Sequence, residues 1–152
     1  MAKFFYRMQN ILDIKYKLED TAKQEYAHAR HMLNIEEDKL SAIRYRKSEY
    51  EEIYSSLLMG NLDFAKIQET VNAIYILDIK IDEQTEIVRK RSKELEKARI
   101  KLSQVMQERK MHEKLKEKQF EEFVQEINYQ EKKETDQVVS YQFNKGKDKS
   151  EV

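Results

Sequence analysis

No proline occurs anywhere in these 152 residues, and glycine occurs only twice, at Gly60 and Gly146. Proline would disfavour helix by about 3 kcal/mol and glycine by about 1 kcal/mol. Nothing therefore interrupts helical backbone from Phe4 to Met59, or from Asp63 to Lys145. The sequence predicts an all-α fold: helix one over about residues 4–58, a turn at about 59–63, helix two over about 64–140, and a disordered tail over 141–152.

Composition narrows the ways such helices can be buried. Charged residues make up 38% of the chain and the hydrophobic set 39%, whereas ordinary globular domains carry about 25% charge. That leaves little aliphatic surface for a compact core and enough for a narrow seam between two helices. Disorder is the competing reading, but Leu, Ile, Val, Phe and Tyr recur too regularly for it. Counted from Phe4 in steps of four and three, a seam runs Phe4, Met8, Ile11, Lys15, Leu18, Ala22, Glu25, Ala29, Met32, Glu36, Lys39, Ile43, Arg46, Tyr50, Ile53 and Leu57. Eleven of these sixteen positions are apolar. Leu33 and Leu40 flank the polar pair at 36 and 39, where a one-residue slip of register is expected. The second seam is cleaner: Ile67, Thr70, Ile74, Leu77, Ile81, Gln84, Val88, Arg91, Leu95, Ala98, Leu102 and Val105. It turns polar at Arg109, His112 and Lys116, and apolar residues return at Phe120, Phe123, Val124 and Ile127.

Gly60 can adopt the left-handed conformation that ends a helix, and Asn61 or Asp63 can cap the next one. A turn this short folds two helices back on each other as an antiparallel two-helix coiled coil, a long helical hairpin. The alternative is one continuous helix dimerising in parallel. At 1.5 Å rise per residue the hairpin's helices would be about 80 and 115 Å long. Pairing around the turn sets residue i opposite 121 − i, so Phe4 is expected near Glu117. Beyond about residue 118 helix two would lack an intramolecular partner, leaving Phe120, Phe123, Val124 and Ile127 as a bare apolar face of the kind that marks binding.

Three further features bear on function. Residues 89–118 hold twelve basic and five acidic side chains while residues 33–88 sum to −6 and 119–137 to −4, although the whole chain is neutral. Such a distribution could orient the molecule against a charged partner, or be a solvated face. Second, Tyr75, Ile76 and Ile79 fall off the seam that Ile74, Leu77 and Ile81 satisfy; Tyr45, Tyr50 and Tyr54 lie across the hairpin. Off-seam tyrosine and isoleucine supply amphipathic contact area, with a thicker local core or self-association as the bland reading. A strand reading of IYILDIKI fails because no second strand exists to pair with it. Third, the polar seam at Arg109, His112 and Lys116 weakens the hairpin and invites an outside partner, or reflects fraying.

Catalytic chemistry is not visible. His28 and His31 share a helical face, but nothing completes a metal's ligand set. Two glycines 86 residues apart make no phosphate loop,, and a helical hairpin offers no dry pocket to tune a carboxylate. No cofactor is expected, and the chain reads as a non-enzyme. Absent cysteine suits a reducing cytoplasm. The opening MAKFFYRMQNILDIKYK has too short an apolar core for a signal peptide, and no stretch approaches the roughly 20 apolar residues of a membrane span.

The opening FFYRMQNILDIKYKLEDTAKQEYA, the turn region LLMGNLDFAKIQ and the stretch QERKMHEKLKEKQFEEFVQEINYQEKKETDQVVSYQF resemble the FliJ family of the bacterial flagellar type III export apparatus, over nearly the full length. The resemblance implies a rod similar to the central stalk of rotary ATPases. It also implies, as partners, the export ATPase hexamer, a membrane export-gate protein and export chaperones, at the flagellar base and without membrane insertion. On this basis Arg109, His112, Lys116, Phe120, Phe123 and Val124 would face the ATPase. Tyr45, Tyr50, Tyr54, Tyr75, Ile76, Leu77 and Ile79 would face the gate. Tyr50 and Leu77 match gate-facing positions of the family; Arg46 stands where a tyrosine is expected, with Tyr45 as its neighbour. Virulence type III systems carry similar rods, and the opening segment favours the flagellar branch. Two other readings stand beside this one: a nucleic-acid-binding coiled-coil arm using the basic half, and a plain scaffold coiled coil. Interleaved acidic residues count against nucleic acid.

Overall fold

A computed structural model describes residues 2–150, with side chains to residue 147. Two α-helices account for nearly all of it: α1, Gln9–Leu57, and α2, Phe64–Ser150. No strand occurs among the described residues. The fold is a helical hairpin coiled coil, and its packing divides into two units, Leu18–Val105 and Met1–Lys17 with Met106–Val152.

The reversal lies where the sequence places it. Gly60 has φ +84° and is the residue with positive φ, a conformation that side chains bearing a Cβ rarely adopt. Leu58 N–H donates to Tyr54 C=O and Met59 N–H to Ser56 C=O, tightening the end of α1. Of the two candidate caps Asp63 serves: its carboxylate accepts from Lys66 N–H at 3.3 Å, and its carbonyl from Ile67 N–H at 3.0 Å. These satisfy donors that open α2 and have no partner within the helix.

In the Leu18–Val105 unit the seam of α2 lies as read, from Ile67 through Val105, with Thr70, Leu77 and Gln84 buried and the other positions half-buried. Thr70 satisfies its own hydroxyl by donating to Lys66 C=O at 2.8 Å. The seam of α1 needs correction. Alternate positions, Ala22, Ala29, Glu36, Ile43, Tyr50 and Leu57, face inward as expected. The intervening ones are Glu19, Tyr26, Leu33, Leu40, Lys47 and Tyr54, each one residue beyond the expected position. Leu18 and Ile53 are consequently exposed, and Leu33 and Leu40 are buried. This four–three spacing is unbroken, so the register slip expected at 36–39 does not occur. Phe4, from which the expected spacing counts, is not helical, so every second expected position lies one residue short of the actual seam.

Glu36 lies opposite Gln84, next to the expected residue 85. Gln84 Nε2 donates to Glu36 Oε2 at 2.5 Å and to Glu36 C=O at 3.0 Å, both groups being buried. The amide donor holds the Glu36 pKa below the ordinary carboxylate value, with help from Lys39 and Arg91, although desolvation opposes it. Lys101–Glu25 at 2.9 Å and Lys47–Asp78 at 2.6 Å join the helices at the edges of the seam.

In the other unit, α1 begins at Gln9 rather than near Phe4. Residues 2–6 are irregular and 7–8 form a turn, with Gln9 N–H donating to Tyr6 C=O at 3.2 Å. Non-helical backbone spans up to about 3.3 Å per residue against 1.5 Å in helix, so the opening segment reaches further along α2 than a helix would. Phe4 therefore meets Phe120 and Phe123 instead of Glu117. At the far end α2 continues through residues 141–150, where the sequence reading expects a disordered tail. A Cβ at Gly146 would meet nothing within 4 Å, and one glycine costs a helix only about 1 kcal/mol. Residues 151–152 of that expected tail lie outside the described residues.

Candidate functional site

Two groups of residues are candidates for contact with other proteins. The first lies within Leu18–Val105. Periodicity separates its members: α2 turns Leu77 inward, 6% exposed, and Tyr75, Ile76 and Ile79 outward, with Tyr75 66% exposed. Val71, one turn before Tyr75, is exposed too and extends the stripe. On α1, Tyr45 is exposed, while Tyr50 and Tyr54 are half-buried on the seam. The seven residues thus divide by role. Leu77, Tyr50 and Tyr54 pack the seam of the hairpin, and Tyr45, Tyr75, Ile76 and Ile79 present apolar and aromatic surface to solvent. Beside them Lys47 bridges to Asp78, which raises the pKa of the lysine and fixes α1 against α2 at this level.

The second group lies within Met1–Lys17 with Met106–Val152. Arg109, His112 and Lys116 continue the seam of α2 at the expected spacing and are half-buried. Two of them are engaged inside the unit. Arg109 Nη1 pairs with Glu113 Oε2 at 2.9 Å, and Glu113 also accepts from the Tyr16 hydroxyl. Lys116 Nζ donates to Gln9 Oε1 at 2.7 Å and lies 6.0 Å from the centre of the Tyr6 ring. Lys15 Nζ closes the same stretch on Glu108 at 3.0 Å. The polar seam is therefore cross-linked by hydrogen bonds, although His112 Nδ1 is buried with no hydrogen-bond partner.

Phe120, Phe123 and Val124 are not the bare face the sequence suggests. Phe4 packs against Phe120 edge-on, centroids 5.2 Å apart, and against Phe123 at 5.4 Å. Tyr6 is buried beside this contact at 4% exposure, and its hydroxyl has no hydrogen-bond partner. An unpaired buried hydroxyl costs roughly 1–3 kcal/mol. Phe120 stays half open to solvent and Val124 exposed. Sequence reasoning missed the part played by Phe4 and Tyr6. The available signal was the triplet Phe4-Phe5-Tyr6, too aromatic for one helical seam, together with the lack of a side-chain cap at Met8. Farther along α2, Tyr129, Val138, Val139, Tyr141 and Phe143 are exposed.

The basic stretch 89–118 is less naked than its net charge implies. Arg91 pairs with Glu94 at 3.0 Å, Arg99 with Glu96 at 2.6 Å, and Arg109 with Glu113. Hydrogen bonds from Arg99 lower the Glu96 pKa, and Glu96 raises that of Arg99. Guanidiniums already occupied by carboxylates offer less to phosphates. Among the described residues no group of three His, Cys, Asp or Glu could hold a metal. Nor is any helix long and apolar enough to cross a membrane.

A family model described as Flagellar FliJ protein matches residues 4–148. Among solved structures, that of a YscO homolog from Chlamydia trachomatis is similar in fold, with a TM-score of 0.58. It is 24% identical, over 94% of this chain and 98% of that one. No curated protein sequence matches.

Proposed function

The chain belongs to the FliJ family of flagellar proteins, and from that premise we propose that it is a non-enzymatic component of the flagellar type III export apparatus. It works by contact: the Phe120–Val124 face with its polar seam meets the export ATPase ring, and the exposed stripe of Tyr75, Ile76 and Ile79, with Tyr45, meets the membrane export gate. Assistance to export chaperones belongs to the same role. The observation that carries the reading is the family match itself, which runs through both helices and the turn. What supports two separate contacts is that each unit exposes apolar side chains its own seam does not use, the usual mark of a binding face.

A physical mechanism follows from asymmetry. A hairpin with one polar and one aliphatic unit cannot present equal surfaces to every member of a ring of identical subunits. It favours some subunit states over others, and only such differential binding can shift an equilibrium among them. The test is titration of this protein into its purified export ATPase, measuring hexamer formation and turnover. Both are expected to rise, and no change in either would refute the coupling. For the other face, Ile76→Glu with Ile79→Glu is expected to abolish motility while leaving helicity intact. Full motility would remove the gate assignment.

A further inference from the structure

Residues 2–8 are neither helix nor strand, yet nothing in Phe4-Phe5-Tyr6-Arg7-Met8 forbids helix. What holds them off the helical path is the seating of two rings. Phe4 sits on Phe120 and Phe123, and Tyr6 is buried with the Lys116 ammonium over its ring. Three features oppose that seating. The Tyr6 hydroxyl is buried without a hydrogen-bond partner, Phe5 is exposed to water, and Met8 has no side-chain acceptor to cap the first N–H groups of α1. Release would hydrate the Tyr6 hydroxyl and allow α1 to extend backward toward Phe4, moving the uncapped end away from Gln9. The segment thus has two alternatives, each with something the other lacks, which is the condition for a switchable element.

We propose that residues 2–8 form an autoinhibitory strap that competes with a partner protein for the Phe120–Phe123 face. Closed, Phe4 occupies the rings; open, it surrenders them to an apolar surface of the partner. This rests on the reading that the face meets the export ATPase. A partner that binds only the open form sees its intrinsic affinity reduced by the open fraction, so strap variants tune capture without touching the face itself.

Two substitutions push the strap in opposite directions. Phe4→Ala removes the ring contacts and favours opening, whereas Tyr6→Phe removes the orphaned hydroxyl and favours closure. The first readout needs no partner: fluorescence of anilinonaphthalene sulfonate bound to the isolated 152-residue chain. The second is the dissociation constant for the purified export ATPase. Phe4→Ala is expected to raise dye binding and to tighten ATPase capture roughly two- to tenfold. Tyr6→Phe is expected to lower dye binding and weaken capture. Unchanged dye binding in both variants overturns the switch. Raised dye binding with unchanged ATPase affinity in Phe4→Ala overturns its regulatory role. Adding Phe123→Ala to Phe4→Ala, where the strap is already released, separates this from failure of the underlying reading: if the double variant binds the ATPase as tightly as Phe4→Ala alone, the face is not the ATPase contact and the strap regulates nothing there. Tyr6→Phe differs from the native residue by one oxygen, so a folding defect in Phe4→Ala would not spare the proposal from test.

Discussion

Between Leu18 and Val105 the helices close on aliphatic side chains, with Ala22, Leu33, Leu40 and Leu77 buried and the Glu36–Gln84 pair hydrogen-bonded among them. The unit of Met1–Lys17 with Met106–Val152 closes on aromatics and cations. Phe4, Tyr6, Phe120 and Phe123 gather there, beside Arg109, His112 and Lys116. Both buried side-chain polar atoms that lack a hydrogen-bond partner among the described residues, Tyr6 Oη and His112 Nδ1, belong to this second unit. One seam is thus satisfied throughout, while the other retains local cost. Regions of lower local stability are where proteins open and bind, so the contrast locates change in the second unit and rigidity in the first.

The contrast can be broken or sharpened by substitution. Leu77→Ala should have the largest effect, about 3 kcal/mol of unfolding free energy, read from the denaturant midpoint; a loss matching that of the exposed Ile76→Ala would mean the aliphatic seam is not the main support. Gln84→Ala should come next, with a diagnostic pH dependence. Because the folded-state pKa of Glu36 is depressed, its contribution is present above the unfolded carboxylate pKa and lost as pH falls through the folded value. That acid-side loss should shrink in the variant, and melting curves across mildly to strongly acidic pH would show it. Gly60→Ala forces a side chain into positive φ and should cost about 1–2 kcal/mol, whereas Gly146→Ala should leave the unfolding midpoint unchanged. Opposite in sign, Tyr6→Phe should stabilise by about 1 kcal/mol. A destabilisation there would show the hydroxyl to be satisfied after all.

Much of this was legible before the structure. Every seam position of α2 from Ile67 to Lys116 could be read because few of its neighbours compete: Leu95 and Leu102 are flanked by charge or polarity. The α1 seam was ambiguous for a physical reason. Ile11 and Leu12, Met32 and Leu33, and Ile53 and Tyr54 offer two adjacent apolar side chains, and either fits a heptad. Burial of Leu12, Leu33 and Leu40 decided the matter. The candidate surfaces were legible as to residue type but not as to side. Periodicity sets Leu77 on the seam and Ile76 off it, but Tyr54 falls off the expected α1 seam and lies on the actual one, and the seating of Phe4 on Phe120 depends on backbone leaving the helix, which no periodicity records.

The hydrogen-bonded Glu36–Gln84 pair has a consequence for alignment. Repeating aliphatic layers look alike after a shift of seven residues, so nothing in them forbids two strands of a coil from sliding by one heptad. Here such a slide would carry the carboxylate from Gln84 to Leu77 in one direction or Arg91 in the other, and would leave the amide facing Ala29 or Ile43. Only one alignment gives both groups a mate, and this buried polar contact thereby acts as a second detent, away from the turn at Gly60, that holds a sliding rule at its proper mark.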